Sequence, residues 1–157
     1  MSVSRPTLIL GVGNLLMGDE GVGIHAIRRL ETETLPDTVR LLDGGTGGFH
    51  LLSLFQEYDP IILIDATMDG KPRGEIALFQ PRFASDFPRT LSAHDIGLRD
   101  LLESAALLGP LPRLYLITIS IGEIEPMTME LSAPIEDTLP RVVQTVRTVL
   151  QSLQAPS

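Results

Sequence analysis

Three side chains of this 157-residue chain could act together on a metal ion or a proton: Glu20, Asp65 and His94. Two carboxylates and one imidazole form a borderline donor set that suits zinc, nickel or another divalent metal with coordination positions left open. The same groups can also transfer protons. No two of them lie at a local metal-binding spacing such as His-Glu-x-x-His, so spacing alone leaves capping and surface roles open beside the metal site.

Glu20 belongs to a glycine-rich turn between a predicted strand at 7–10 and a predicted helix at 21–33. Ligands of such strand-turn-helix units bind at the carboxyl end of the strand. A dinucleotide is not expected, because Leu16 stands where the fingerprint needs a small residue and because the adjacent Asp19 and Glu20 would repel a phosphate. Taken alone, Asp19 and Glu20 are explained equally well by a functional site and by stabilisation of the N-terminus of the following helix.

The remaining hydrophobic pattern predicts an α/β fold with alternating strands and helices. Further strands are predicted at 39–42, 61–64, 75–79 and 114–119, and further helices at 49–58, 95–108 and 132–154. The run at 61–64 is uninterrupted, which is typical of a central parallel strand, whereas 75–79 is flanked by prolines and is expected at the sheet edge. Asp65 follows the central run and precedes a loop, so a site role is favoured over helix capping. We expect Glu20, Asp65 and His94 at one solvent-reachable edge of the sheet.

The second predicted strand leads into an unusually glycine-rich loop, in which residues 43–48 read Asp-Gly-Gly-Thr-Gly-Gly. Four glycines in six residues exceed the need of a simple turn and predict the close approach of another backbone. Asp43 either supports the site carboxylates or bonds its own backbone in an Asp-Gly turn, and the turn is the commoner arrangement.

Composition restricts the function further. The chain has 12 Lys+Arg against 20 Asp+Glu, a net charge of −8, and no basic run, so nucleic acid is not expected as a partner, whereas a basic peptide or a cation is. The absence of cysteine excludes disulfides and thiolate catalysis. With no signal segment and no apolar run of about 20 residues, we expect a cytoplasmic protein that does not span a membrane. The length predicts a single domain over residues 1–157.

Four motifs in order resemble the [NiFe]-hydrogenase maturation proteases: residues 11–23, 43–48, 64–66 and 92–98. The resemblance covers nearly the whole chain. It implies a three-layer αβα sandwich around a mostly parallel, twisted five-stranded sheet with helices on both faces. It also implies that the metal-binding and catalytic residues are Glu20, Asp65 and His94.

The same resemblance implies an endopeptidase that removes the C-terminal extension of a hydrogenase large-subunit precursor once nickel has been inserted. Nickel would arrive with the substrate, although other divalent metals could occupy the site in vitro. The extended tail of the precursor would be held by the glycine-rich loop, at Asp43, Gly44, Gly45, Thr46 and Gly47. The alternative is a non-catalytic chaperone that binds the nickel-loaded large subunit.

Overall fold

A computed structural model describes residues 5–46, 48–88, 98–123 and 127–154. The strands are β1 (Thr7–Gly11), β2 (Val39–Asp43), β3 (Ile61–Thr67), β4 (Ile76–Phe79) and β5 (Leu114–Ser120). They form one five-stranded sheet in the order β2-β1-β3-β5-β4. All neighbouring pairs are parallel except β4 with β5, which is antiparallel. The predicted central position of β3 and edge position of β4 are therefore confirmed.

Helices cover both faces of the sheet, as expected for a three-layer sandwich. The helices are α1 (Val22–Leu30), α2 (Leu54–Glu57), α3 (Leu98–Leu108), α4 (Ala133–Glu136) and α5 (Leu139–Gln154). One apolar cluster joins α1 and α5 to the sheet, and a second joins α2 and α3 to the opposite face. Within the described residues, no helix is both long and apolar enough to cross a membrane.

Strand β3 lies in the middle of the sheet, and every one of its residues is buried. Side chains alternate along a strand, so Ile62 and Ile64 enter the cluster of α1 and α5, whereas Ile61 and Leu63 enter the cluster of α2 and α3. Each such side chain contributes about 1.5–3 kcal/mol when it leaves water. Asp65 continues the second series, which places it on the side of the sheet that α3 covers.

One predicted helix is shorter than the hydrophobic pattern indicated. The helix predicted at 21–33 ends as α1 at Leu30, and the next residues form single hydrogen-bonded turns in which the Thr32 hydroxyl bonds the Arg29 carbonyl. Such side-chain bonds compete with helical ones. The helix predicted at 95–108 is observed as α3 and ends at Leu108 as predicted, whereas residues 95–97 lie outside the described residues.

Two other predicted helices are interrupted. The segment predicted as a helix at 49–58 forms the 3-10 turn Phe49–Leu51 and then α2. The hydrogen bonds at the turn and at the start of α2 span three residues instead of four. The segment at 132–154 is divided into α4 and α5. Between them the buried Thr138 donates its hydroxyl to the Ile135 carbonyl, and Pro140 has no N–H to continue the earlier helix.

Candidate active site

The glycines after β1 allow helix α1 to begin in contact with the backbone of the sheet. A Cβ atom at Gly23 would lie 2.5 Å from the Ile64 carbonyl oxygen, and one at Gly11 would lie 2.5 Å from the Ile27 side chain. Close helix–strand packing is one of the roles that glycine has in strand-turn-helix units. The turn therefore brings its acidic residues against β3, and it does so without the residues of a phosphate-binding loop.

Glu20 lies on a 3-10 helix, Gly18–Gly21, that leads directly into α1. This 3-10 helix packs against β3, and Glu20 is only 2% exposed. The sequence placed Glu20 in a solvent-reachable site, and this expectation of exposure is wrong. Gly13 allows this close packing, because a Cβ atom there would collide with the Glu20 carbonyl oxygen.

Asp65 lies inside β3, not after it, because the strand continues to Thr67. Its residue is in register with Thr118 of β5, its side chain is fully buried, and its Oδ1 accepts the Ala66 N–H at 2.8 Å. The prediction that Asp65 ends the strand and is reachable by solvent is therefore wrong. The strand is longer than predicted since Ala66 and Thr67 pair with β5 as regularly as the isoleucines before them.

Two carboxylates thus lie buried in elements that pack against each other at the carboxyl edge of the parallel strands. Buried carboxylates are costly unless they are hydrogen-bonded, paired with a cation or bound to a metal, so their burial suits metal binding or proton transfer. His94 lies outside the described residues. It precedes α3, the helix that covers the face on which Asp65 lies. Among the residues that the structure describes, no group of three acidic or imidazole side chains is arranged to hold a metal.

Asp19 has a different role from its neighbour Glu20. Its two carboxylate oxygens accept the backbone N–H and the hydroxyl of Ser132, both at 2.7 Å, and Asp19 is 6% exposed. Ser132 is the residue that precedes α4, and its hydroxyl bonds Asp19 and not the helix backbone. The pair fixes the turn that carries Glu20 to a segment 113 residues away in the chain, and no local sequence signal marks it.

The glycine-rich loop is folded against the end of β1. Gly44 donates its N–H to the Gly11 carbonyl and the Gly45 carbonyl accepts the Gly13 N–H, each at 2.8 Å, which confirms the predicted close approach of another backbone. Asp43 forms the predicted turn by accepting the Gly45 N–H at 2.8 Å.

Of the five residues predicted to bind substrate, three are accessible in the described part of this loop. Thr46 is exposed, and a Cβ atom at Gly45 would meet nothing within 4 Å. Gly44 is buried, and Asp43 is exposed with Oδ1 engaged in the turn. Gly47 lies outside the described residues.

A cavity of about 530 Å³ lies at the opposite edge, where the parallel strands begin. Its arginines are bonded within the protein: Arg5 and Arg113 pair with Asp59 at 3.3 and 3.0 Å, and Arg40 donates to the Asp37 carbonyl. These arginines therefore have a structural role in the protein, and the carboxyl edge of the sheet remains the candidate site.

The fold and the site define an α/β domain with a polar, carboxylate-bearing site at the carboxyl edge of its parallel strands, the position at which this class binds its ligands. A family model described as hydrogenase maturation protease matches residues 24–149. The chain belongs to the hydrogenase maturation protease family.

Relatives and solved structures agree with this assignment. The chain is 35% identical over 147 residues to the hydrogenase 2 maturation protease of Escherichia coli, covering 89% of this chain and 90% of the relative. It is 33% identical over 151 residues to the hydrogenase expression/formation protein HupD of Rhizobium leguminosarum, covering 92% of this chain and 74% of that protein.

The fold is similar to that of the hydrogenase maturating endopeptidase HybD from E. coli, with a TM-score of 0.85, 30% identity and coverage of 96% of this chain and 94% of the other. It is also similar to the [NiFe] hydrogenase maturation protease HybD from Thermococcus kodakarensis, with a TM-score of 0.76, 28% identity and coverage of 92% and 99%. The names of these relatives support a peptidase activity. The resemblance seen in the sequence motifs and the predicted sandwich fold are confirmed.

Proposed function

We propose that this protein is an endopeptidase that removes the C-terminal extension of a [NiFe]-hydrogenase large-subunit precursor after nickel insertion. The observation that carries the proposal is the burial of Glu20 and Asp65 at one edge of the sheet in a chain of the hydrogenase maturation protease family. Two buried carboxylates fit a divalent cation, because a cation offsets the cost of enclosing negative charge.

In this proposal, nickel is part of the substrate and is held by the precursor. Glu20, Asp65 and His94 supply additional oxygen and nitrogen ligands from the enzyme. A divalent metal in such a site polarises a carbonyl group or lowers the pKa of a bound water. The protein contributes by orienting the precursor and by enclosing the two carboxylates, one of which can instead serve as the general base.

The tail of the precursor lies, in this proposal, along the accessible part of the glycine-rich loop. The open space beside Gly45 and the exposure of Thr46 support this placement, since an extended peptide can approach a backbone that has no side chain closely. Asp43 and Gly44 shape the loop from within, through the bonds to Gly45 and to Gly11.

The proposal is tested by incubating the nickel-loaded precursor with the purified protein and measuring the mass of the large subunit. A shortened large subunit is the expected result, and Asp65→Asn serves as the matched control because the amide oxygen can still accept the Ala66 N–H. A stable complex without any change in mass would identify the protein as a non-catalytic chaperone instead. If the protein neither binds nor shortens the precursor, both functions are contradicted.

A further inference from the structure

The segment before Glu20 is paired with a segment from the far end of the chain. The Leu16 carbonyl accepts the Thr128 N–H at 3.1 Å, and the Thr128 carbonyl accepts the Gly18 N–H at 2.8 Å. The two segments run parallel at this point. We call residues 16–18 together with 127–129 the rim ribbon. Because it continues into the 3-10 helix of Glu20, the rim ribbon borders the candidate site.

The rim ribbon presents apolar side chains to solvent. Leu16 is 56% exposed, Met127 is 90% exposed and Met129 is 50% exposed. Grouped exposed apolar side chains, unlike scattered ones, mark interaction sites. Methionine is suited to such a surface, because its flexible thioether side chain adapts to the shape of a partner.

Met127 also has an unfavourable backbone conformation. Its φ angle is +65°, and it is the one non-glycine residue of the described chain with a positive φ. Such a conformation is strained for a residue that has a Cβ atom, and glycine would avoid the strain. The side chain of Met127 is almost fully exposed, so packing within the protein does not compensate for this strain. A strained residue whose side chain is not packed is a candidate for a functional contact.

The charges beside the rim ribbon favour a basic partner over an acidic one. Residues 6–27 and 114–140, which contain both halves of the ribbon, include no lysine or arginine, and a cation described against them is Arg73, which packs on Gly122. Carboxylates are present in both, among them Glu20 and the exposed Glu130. An acidic peptide would be repelled here, whereas an apolar segment with basic residues would be attracted.

From these observations we infer that the rim ribbon is a second docking surface for the C-terminal extension of the precursor, in addition to the glycine-rich loop, and that it binds apolar side chains of a neutral or basic tail. The inference rests on the proposed function, because it takes its occupant from the reaction proposed there. The ribbon would hold the tail beside the carboxylates without taking part in the cleavage itself.

The test is Met127→Gly, which relieves the backbone strain and deletes the side chain. Steady-state cleavage of the nickel-loaded precursor and the binding of a synthetic peptide of its C-terminal extension would be measured with each variant. We expect KM and the peptide Kd to rise about tenfold, as for an interface hot spot, while kcat is nearly unchanged. The melting temperature should stay equal or rise. A residue with a merely structural role would not produce this combination.

The matched control is Leu107→Gly with the same assays. Leu107 is 89% exposed and lies near the C-terminal end of α3, away from the ribbon, so this variant should bind the peptide as the parent protein does. A second variant, Met129→Gln, keeps side-chain size and leaves its carbonyl, which contacts His25, in place. It should also weaken peptide binding.

The inference and the proposed function fail in different ways. Wild-type KM and Kd in Met127→Gly and in Met129→Gln would overturn the docking surface and leave the endopeptidase intact. If the parent protein binds the peptide but cuts nothing, the endopeptidase is wrong, and loss of binding in Met127→Gly would still support the ribbon. Loss of self-association by sedimentation, with unchanged peptide binding, would mean that a second copy of this chain occupies the surface, which also overturns the inference.

Discussion

At the scale of single residues, Asp65 and Glu20 are buried carboxylates. Replacing each carboxylate by an amide removes the charge and leaves the side chain buried. Asp65→Asn and Glu20→Gln keep side-chain shape and remove the negative charge. We expect each to lower precursor cleavage by at least about a hundredfold, in the range of lost acid–base or ligand function. The fold should be kept, because each substitution conserves side-chain volume, so the melting temperature should change far less than the rate of cleavage. Mass spectrometry and thermal unfolding measure the two effects.

His94→Ala belongs to the same experiment, and Asp69→Asn is its control. Asp69 is another carboxylate beyond the end of β3, where it accepts the Ser120 hydroxyl at 2.9 Å, and an amide oxygen can replace it in that bond. Asp69→Asn should therefore cleave normally, whereas His94→Ala should not. Full processing by Asp65→Asn would remove that residue from the site.

Gly45 allows the substrate-binding role of the loop to be separated from its conformation. Its φ angle is +58°, a region that asparagine adopts far more readily than valine, and a side chain there would enter open space. If the tail lies against this residue, Gly45→Asn should raise KM while the melting temperature changes little. Gly45→Val should lower both the activity and the melting temperature. Normal KM in Gly45→Asn would mean that the glycine only permits the turn.

At the scale of secondary-structure elements, the contact between Asp19 and Ser132 fixes the turn after β1 to the start of α4. Asp19→Ala removes the acceptor of both hydrogen bonds and should reduce the free energy of unfolding by about 2–3 kcal/mol, since the bonds are charge-assisted. Ser132→Ala removes only the hydroxyl bond and should cost about half as much. Denaturant unfolding measures both.

The activity of these two variants tests whether the contact positions Glu20. If it does, precursor cleavage should fall in the same order as stability, measured well below the unfolding transition. Wild-type stability in both variants would show that water replaces the bonds at no cost, and the turn would then depend on its glycines alone.

Most of the sheet could be predicted from the sequence, because short apolar runs bounded by glycine, proline or charged residues are a strong signal for buried strands. The ends of the elements could not. The apolar run at 61–64 stops at Asp65 and so predicts the end of β3 there, yet the strand continues to Thr67 through pairing with β5. The helix predicted at 132–154 was divided by the hydroxyl of Thr138, which a hydrophobic period does not register.

The candidate site was predictable in part for a related reason. Motifs with local chemistry, such as the turn at 11–23 and the Asp-Gly turn at Asp43, could be recognised from the sequence alone. The bond between Asp19 and Ser132 and the pairing of Leu16 with Thr128 depend on distant contacts and left no local pattern. Burial of Glu20 was missed because it results from how closely glycines let the turn approach β3.

At the scale of the whole molecule, the parallel arrangement of β1, β3 and β5 brings the segments that follow them to one edge of the sheet. At the other edge, three arginines are bonded within the protein, at Arg5, Arg40 and Arg113. The protein as a whole has a net charge of −8. Cations are therefore attracted in general, but a defined site for a metal depends on the ligands that are present.

Those ligands predict where the nickel comes from. In the proposed site, the free enzyme would offer at most two carboxylates and one imidazole, from Glu20, Asp65 and His94, and no thiolate because the chain contains no cysteine. Such a set should hold nickel only modestly, whereas a precursor site built of thiolates would hold it far more tightly. Nickel-free precursor should therefore stay uncut even when the enzyme has been incubated with nickel. Enzyme treated with a chelator, which is removed before mixing, should cut nickel-loaded precursor at an undiminished rate. If this treatment abolishes cleavage, the metal is a resident cofactor and the protein is an ordinary metalloprotease.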